Sequence, residues 1–329
     1  MSGGPLIAAA AATSSSSIWS AVERACRRAK SSGAIKTIGT QPVVTKQGLV
    51  LRVAEHLKDK PKPRLPTAGS ERSAAAEPFD PFRRENLEED LVVCDLGETR
   101  HTVLLNKFNV VDYHLLVVTR DYVSQLESLT REDYAAAFRV LGSYPDERSP
   151  GLAFYNCGRH SGMSQMHKHV QVVPMPTVEG RFPFHDAISG AIEGMSAPDA
   201  PCEVEALPFA CYVFPLRGLS PLETPGDPTG SALVEVGAEL ERQYALAKRL
   251  CLSSHSIAEE DWSYNLLFTR DWWMLVPRSV DSFGPVGVNA MGFAGTFLVR
   301  TNEEMAFITQ REDPRTILTE VGFPSSSSS

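Results

Sequence analysis

The sequence predicts a mixed fold of short β-strands and amphipathic helices, of the α+β or α/β class. Runs of β-type composition are separated by polar turns at Leu91–Cys94, Thr102–Leu105 and His114–Thr119. Apolar residues at helical spacing mark three other segments. The 329 residues are 43% hydrophobic and 22% charged, which is typical of a globular protein with a sizeable core, built as two domains or as two halves of one large domain.

The first predicted element is an amphipathic helix, because Ile18, Val22 and Cys26 recur at helical spacing and Gly33 is placed to end it. The Ser- and Ala-rich residues 1–17 before it are expected to be a disordered tail or part of an organelle transit peptide. Residues 58–78 are rich in Lys, Pro, Ala and Ser, so they are expected to form an exposed loop or linker.

The remaining elements follow from caps and periodicity. Thr130 and Asp133 form a capping-box pattern, which predicts a helix through Leu141. A polar, Pro- and Gly-bearing region is expected at about 176–206. The other predicted elements are a strand at 168–173, a strand at 210–216, a helix at 231–252, and strands at 264–268 and 273–277.

Charge and composition exclude several protein classes. The formal net charge is −8 and no long Lys/Arg run is present, which argues against a general nucleic-acid binder. No stretch approaches the roughly 18–20 apolar residues of a membrane span. The six cysteines are scattered without a CxxC pair, so a reducing compartment is expected. The cytoplasm is favoured over an organelle as that compartment.

A polar row with a glycine-rich loop before it carries the chemistry. In a strand, residues two apart share a face, so His167, His169 and Gln171 line one side while Lys168 points to the other. The preceding residues 156–166 contain two glycines and two serines, whose N–H and hydroxyl groups suit phosphate oxygens. Zinc ligation by two histidines and a purely structural role stay open, and the loop favours nucleophilic or acid–base use.

The sequence HKHVQ, with SGMSQ before it, resembles the His-x-His-x-Gln signature of one branch of the histidine-triad superfamily. That branch contains diadenosine tetraphosphate phosphorylases (ATP adenylyltransferases) and galactose-1-phosphate uridylyltransferases, and the phosphorylase match is the closer. The resemblance extends over about residues 18–325 in four ordered blocks. These blocks are Asn106–Thr119, Phe154–Gln171, Tyr264–Arg278 and Val288–Gly295.

The resemblance implies an α+β, histidine-triad-like fold with an antiparallel sheet and flanking helices, elaborated as in nucleotidylyltransferases. It also implies an amino-terminal catalytic region at 18–195 that holds the HxHxQ motif and a carboxy-terminal ATP adenylyltransferase region at 196–325. Residues 1–17 and 326–329 are expected to be disordered tails.

The resemblance also implies the roles of individual residues. His169 would be the nucleophile that forms a covalent nucleotidyl-histidine, and His167 would help to fix its tautomer and orientation. Gln171 stands where a third histidine occurs in the triad proteins, and it would donate a hydrogen bond to the phosphoryl group. The implied phosphate-binding residues are Asn156, Gly162, Ser164, Gln165, Lys107 and Lys46. Contacts with the nucleotide are expected from Tyr264, Trp273 and Arg278.

The implied reaction is phosphorolysis of diadenosine tetraphosphate to ATP and ADP, through an AMP–histidine, in a monomer or homodimer. Mg²⁺ is expected as an ion carried by the substrate, without a metal site made by the protein. Activity is expected to fall as acid protonates His169. The alternatives are a hexose-1-phosphate uridylyltransferase, a catalytically silent nucleotide-binding protein and a zinc-binding structural domain. No nucleic-acid or membrane partner is expected.

Overall fold

The computed structural model describes residues 15–54, 79–145, 150–178, 180, 182–195, 200–216 and 230–326. Residues 1–14 and 327–329 of the predicted tails lie outside the described residues, as does the predicted linker at 58–78. Residues 15–17 belong to the first helix. No helix in the described part of the chain is long and apolar enough to cross a membrane.

The centre of the fold is a nine-stranded antiparallel sheet. Its strands, numbered with the others in chain order, are β4 (Val92–Leu96), β5 (His101–Leu105), β7 (Leu115–Thr119), β8 (Gly151–Cys157), β9 (His169–Pro174), β10 (Cys202–Glu203), β11 (Tyr212–Pro215), β12 (Tyr264–Phe268) and β13 (Trp272–Pro277). Their order across the sheet is β10-β11-β13-β12-β8-β9-β7-β5-β4. Because β12 pairs with β8, both predicted regions of the chain share this one sheet.

Short strands complete the β-structure. They are β1 (Lys36–Thr37), β2 (Gln41–Val44), β3 (Val50–Val53), β6 (Phe108–Asn109), β14 (Ser282–Phe283), β15 (Val286–Gly287) and β16 (Thr296–Val299). Strands β1 and β6 pair in parallel, and β14 and β15 form a hairpin. The third small sheet, in the order β16-β3-β2, joins the amino-terminal and carboxy-terminal parts of the chain.

The α-helices in the described residues are α1 (Ser15–Ser32), α2 (Arg131–Leu141), α3 (His185–Glu193), α4 (Gly230–Ser254), α5 (Ala290–Phe293), α6 (Asn302–Thr309) and α7 (Thr316–Val321). The predicted helices α1, α2 and α4 are confirmed, and so is the capping box of Thr130 and Asp133. Gly33 follows α1 with a φ of 73°, a conformation in which glycine has no steric penalty. Helix α3 was not predicted, since it lies in the region at about 176–206 that was expected to be polar and to bear Pro and Gly. Ile188 is its buried residue.

Alternate residues of each strand divide the sheet into two faces. Helices α1, α2 and α4 pack on one face, which we call the helical face, and Val170 and Val172 of β9 point into its core. The other face carries His169 and Gln171. On that face these two polar residues lie between two apolar clusters, one that includes Phe154 and one that includes Leu116. The mixed fold with an antiparallel sheet and flanking helices is therefore confirmed.

A buried charged cluster lies on the helical face beneath the histidine row. Lys168 Nζ donates to Asp133 Oδ2 at 2.7 Å and to the carbonyl oxygen of Ser128 at 2.6 Å. His101 Nε2 lies 2.8 Å from the other carboxylate oxygen of Asp133. Burial by itself would raise the pKa of Asp133, but the hydrogen bond from His101 and the charge of Lys168 outweigh it and lower the pKa to about 2. The cluster therefore ties Lys168, the residue directly before β9, to the first turn of α2.

Replacing Asp133 with Asn is expected to destabilise the protein by about 3 kcal/mol, because it leaves the Lys168 ammonium buried without a counter-charge. Urea unfolding at neutral pH measures this change. The double variant Asp133→Asn/Lys168→Met removes both charges and is expected to recover part of the loss. The single variant Lys168→Met completes the comparison. If the stability lost in the double variant equals the sum of the losses in the two single variants, the ion pair contributes no coupling energy.

The stability of the wild-type protein is also expected to depend on pH through Asp133. A carboxyl whose folded-state pKa is lowered from 3.8 to about 2 stabilises the fold fully above its ordinary value, and this contribution is lost as pH falls toward 2. Unfolding free energies at pH 5 and pH 2.5 should differ by about 2 kcal/mol more in the wild type than in Asp133→Asn. Equal pH dependence in the two proteins would remove Asp133 as the cause.

Candidate active site

His169 is held in one tautomer by its own strand. Its Nδ1 lies 2.8 Å from the carbonyl oxygen of His167, an atom that can only accept, so Nδ1 carries the proton. In the neutral imidazole the lone pair is then on Nε2. The residue is only 4% exposed, so surrounding side chains restrict the orientation of the ring. An imidazole with one nitrogen fixed as a donor and the other carrying the lone pair has the form that a nucleophile requires.

The ring of His167 is itself anchored at both nitrogens. Nδ1 lies 2.8 Å from Asp80 Oδ2, and Nε2 lies 2.8 Å from the carbonyl oxygen of Thr119. His167 therefore orients His169 through its backbone carbonyl, whereas its ring holds that stretch of backbone in place. Asp80 was not singled out in the sequence, because it follows the linker region 58–78 and has no motif around it.

Gln171 is oriented by a chain of two polar side chains. Asn106 Nδ2 lies 3.2 Å from His114 Nδ1, and His114 Nε2 lies 2.9 Å from Gln171 Oε1. An amide NH₂ only donates, so His114 accepts at Nδ1 and donates at Nε2 to the Gln171 oxygen. Because the oxygen of the Gln171 amide faces His114, its NH₂ group points away from His114. His114 lies in a block that resembles the family. Its contact with Gln171 depends on the pairing of β7 with β9, which the sequence alone does not predict.

The buried Gln125 side chain fills the space where β8 and β9 separate. The regular pairing of the two strands ends at Phe154 and Gln171, and the next residues on the same face are Asn156 and His169. Here Gln125 Nε2 donates to the Asn156 carbonyl at 2.9 Å, and Gln125 Oε1 accepts from His169 N at 2.8 Å. A side-chain amide thus replaces part of the strand ladder and fixes the backbone of His169.

The glycine-rich loop depends on its glycines for conformation and for space. Gly158 and Gly162 have φ values of 91° and 74°. A Cβ atom at Gly158 would collide with Ser263, and one at Gly162 would collide with the carbonyl oxygen of Val288. The loop therefore packs closely against the carboxy-terminal part of the chain.

The polar groups of Ser164 and Gln165 follow this turn and are half-buried. Within the described ranges, no hydrogen-bond partner is recorded for the Ser164 hydroxyl or for the Gln165 side-chain amide. Both are therefore available to a ligand. Asn156 lies at the start of this stretch, at the end of β8, and is 2% exposed. Its Oδ1 accepts from Asn265 Nδ2 at 2.8 Å and from Ala290 N at 2.9 Å, which leaves its NH₂ group to donate.

The two predicted lysines lie outside this hydrogen-bonded centre. Lys107 donates to Glu88 Oε1 at 2.5 Å, and both side chains are more than a third exposed. Lys46 is exposed in the turn between β2 and β3. Neither lysine is hydrogen bonded to the histidine row within the described ranges. Their roles as phosphate-binding residues stay predictions.

The rings of Tyr264 and Trp273 lie on the helical face of the sheet, opposite to the face that holds His169. Each is at most 2% exposed, and Trp273 Nε1 donates to the side chain of Gln243 at 2.6 Å. The structure does not support the predicted nucleotide contacts for these two rings. Alternation along β12 and β13 accounts for their position, because it directs both side chains into the core between sheet and helices.

Arg278 is buried and its guanidinium is fully occupied, so the prediction that it contacts the nucleotide is also not supported. Burial lowers the pKa of the guanidinium to about 9, which leaves it charged at neutral pH. Its N–H groups donate to the carbonyl oxygens of Ser161, Val280, Val288 and Val321 and to Oδ1 of Asn265. Arg278 therefore joins the glycine-rich loop to the carboxy-terminal segments.

A segment after the linker covers part of the histidine row. In this segment the ring of Phe82 lies 5.2 Å from that of His169, centroid to centroid. Tyr122, which follows β7, lies with its ring 5.4 Å from that of His167. Arg84 anchors the segment through two hydrogen bonds to the Asp95 carboxylate, at 2.9 and 3.1 Å. In the part of the chain that the structure describes, no group of three or more His, Cys, Asp or Glu side chains is arranged to hold a metal ion.

Two family models match the chain in succession. Residues 8–189 match the Ap4A phosphorylase N-terminal domain, and residues 205–324 match the ATP adenylyltransferase C-terminal domain. Ap4A is diadenosine tetraphosphate. Each model covers one of the two halves that share the nine-stranded sheet.

Curated relatives and solved structures agree with these matches. The chain is 35% identical over 275 residues to diadenosine 5′,5‴-P1,P4-tetraphosphate phosphorylase 2 of Saccharomyces cerevisiae, with 79% of this chain and 80% of the relative covered. It is similar to the crystal structure of yeast Ap4A phosphorylase Apa2 in complex with AMP, with a TM-score of 0.71, 29% identity, and 94% and 98% of the two chains covered. The complex of Apa2 with Ap4A gives a TM-score of 0.71 at 28% identity, with 93% and 97% covered. The chain therefore belongs to the Ap4A phosphorylase (ATP adenylyltransferase) family.

Proposed function

We propose that this protein cleaves diadenosine tetraphosphate with inorganic phosphate to give ATP and ADP. The observation that carries the proposal is the hydrogen bond from His169 Nδ1 to the His167 carbonyl, which prepares Nε2 as a nucleophile. The loop with the polar side chains of Ser164 and Gln165 lies directly before it in the sequence, where donors for a phosphate group are needed. The family and the Ap4A-bound structure of Apa2 support the choice of substrate.

In the first displacement, Nε2 of His169 attacks the α-phosphorus of one adenosine. The bond from that phosphorus to its bridging oxygen breaks, and ATP leaves with the bridging oxygen. The Nε2–phosphorus bond places positive charge on the ring. The Nδ1–H donates a hydrogen bond to the His167 carbonyl oxygen at 2.8 Å, and this bond stabilises the charge. The rigid anchoring of His167 by Asp80 and Thr119 keeps that acceptor in place.

In the second displacement, an oxygen of inorganic phosphate attacks the same phosphorus from the side that ATP vacated. The Nε2–phosphorus bond breaks, ADP forms, and His169 returns to its neutral form. Both steps need neutralisation of the non-bridging oxygens more than they need proton transfer. The NH₂ groups of Gln171 and Asn156 and the loop residues Ser164 and Gln165 are the donors proposed for this task.

Mg²⁺ is proposed as an ion bound by the polyphosphate of the substrate. Asp80, the carboxylate on the histidine row, is hydrogen bonded to His167, and the described residues offer no metal-binding cluster.

A reducing compartment, with the cytoplasm first, is the proposed location. All six cysteines lie in the described part of the chain as free thiols, which supports this proposal. Whether the protein acts as a monomer or homodimer can be read from its mass in solution, and the proposed chemistry does not depend on it.

Purified protein incubated with diadenosine tetraphosphate, Mg²⁺ and phosphate is expected to yield equimolar ATP and ADP, only when phosphate is present. His169→Ala is expected to abolish this turnover, because no other group replaces Nε2, whereas its circular dichroism stays that of the wild type. Chromatography of the nucleotides measures both. Production of AMP and ATP without phosphate would instead identify a hydrolase, and retained turnover in His169→Ala would remove His169 as the nucleophile.

Replacing Asp80 with Asn is expected to lower kcat about tenfold with little change in KM, because the anchor of the His167 ring loses its charge while the donors to the substrate remain. Steady-state phosphorolysis measures the change. The matched control is Asp121→Asn, since Asp121 pairs with Arg100 on the surface with both side chains more than 70% exposed. Equal kcat values for the two variants would contradict the role given to Asp80.

A further inference from the structure

We propose that Arg278, Asn265 and Asn156 form a relay of hydrogen bonds that directs the charge of a buried guanidinium to the transferred phosphoryl group. In this relay Arg278 and Asn265 are positioning residues that act through the NH₂ group of Asn156. The inference rests on the proposed function, since it names the donor that the α-phosphate meets beside His169.

The relay begins with the position of Asn156 in the sheet. Phe154 of β8 pairs with Gln171 of β9, and two residues further along each strand Asn156 and His169 lie on the same face, with the Gln125 side chain bridging their backbones. Asn265 of β12 pairs with Asn156 in turn. A polar row therefore crosses three neighbouring strands at one level, from the nucleophile to the carboxy-terminal half.

The direction of each amide in the relay is fixed by partners that can act in only one way. The backbone N–H of Ala290 is a donor, so the Asn156 atom 2.9 Å from it is the oxygen. That oxygen then receives the NH₂ group of Asn265 at 2.8 Å. The oxygen of Asn265 receives Nη1 of Arg278, which has no acceptor atom. No alternative assignment of oxygen and nitrogen satisfies these contacts.

This order leaves the NH₂ group of Asn156 as the end of the relay. Asn156 is 2% exposed, and within the described ranges no acceptor is recorded for its Nδ2. An anionic oxygen of the substrate would accept a hydrogen bond from this NH₂ group. Each amide is polarised by the one before it, so the charge of Arg278 strengthens the donor that faces the phosphate.

The same residues also hold the loop that carries the other donors. Asn265 Nδ2 and Arg278 Nη1 both donate to the carbonyl oxygen of Ser161, at 2.9 and 3.2 Å. Arg278 Nη2 donates to the carbonyl of Val288, against which Gly162 packs. A test must therefore separate the action on the phosphoryl oxygen from the support of the loop.

The variant Asn265→Asp tests the action on the phosphoryl oxygen while Arg278 continues to hold the loop through the carbonyl of Ser161. A carboxylate still accepts from Arg278 and forms an ion pair that supports the fold, but it cannot donate to Asn156 or to Ser161. The readout is the ratio of dissociation constants for the two diastereomers of ADP with sulfur on the α-phosphorus, measured by calorimetry. ADP is the product whose α-phosphorus lies beside His169, and sulfur is a weak acceptor, so the two diastereomers report on a donor aimed at one oxygen.

We expect the wild-type protein to discriminate between the diastereomers about tenfold and Asn265→Asp less than about twofold. Gly237→Ala is the control for general destabilisation, because a Cβ there collides with the backbone of Arg131 between α2 and α4, away from the relay. It is expected to lower the melting temperature and to keep the wild-type ratio. The ratio does not depend on the fraction of active protein, so partial unfolding of a variant does not alter it.

A wild-type ratio that survives in Asn265→Asp would overturn the relay, as would a wild-type protein without discrimination.

NMR of the wild type adds a readout that needs no relay variant. The side-chain NH₂ signals of Asn156, assigned by their loss in Asn156→Ser, should shift when ADP binds, and unchanged signals at saturation would also overturn the relay. A protein that shows the ratio but no phosphorolysis would refute the proposed function alone, and phosphorolysis without any effect of Asn265→Asp on the ratio would refute the relay alone.

Discussion

The hydrogen bond between His169 Nδ1 and the carbonyl of His167 is the contact on which the rest of the site depends. Both groups belong to the same short stretch of chain, so the contact survives only while that stretch keeps one backbone conformation. Four side chains from other elements enforce it. Asp80 holds the His167 ring, Gln125 holds the backbone of His169, Lys168 is fastened beneath them by Asp133, and Phe82 packs beside His169. The reactive geometry is thus supported from both faces of the sheet and from between its strands.

The two halves of the chain are joined where the chemistry is located. Strand β12 of the carboxy-terminal half pairs with β8, and the buried Asn156, Asn265 and Arg278 form the polar contact between the halves. A guanidinium removed from water requires acceptors for all its N–H groups, and the surrounding carbonyls of the glycine-rich loop and of the segments near Val288 and Val321 supply them. The loop conformation and the attachment of the two halves therefore have a common cause.

Sequence patterns were sufficient for the features that arise from local chemistry. The capping box at Thr130, the alternation that places His167 and His169 on one face beside Phe82, and the glycine-rich loop are all local, and the structure shows each of them. The partners of these residues could not be predicted, because Asp80, Gln125 and His114 are distant from the row in sequence and meet it only in the folded chain. The nucleotide contacts expected from Tyr264 and Trp273 are not supported, because both rings lie on the helical face and a motif that resembles a family does not say which residues of a strand point to the ligand.

Asp133 has two structural tasks, and this limits which residues can replace it. Its backbone and carboxylate complete the capping box that begins α2, and the same carboxylate neutralises Lys168 below the nucleophile. Glutamate would serve the first task equally well, as capping boxes commonly use it. Its extra methylene would have to fit at a position where the side chain is 5% exposed and the carboxylate has three partners, His101, Lys168 and the N–H of Thr130. A library of variants selected for thermal resistance should therefore keep position 133 constant and vary the exposed positions of α2, where the helix can be improved without reaching the histidines.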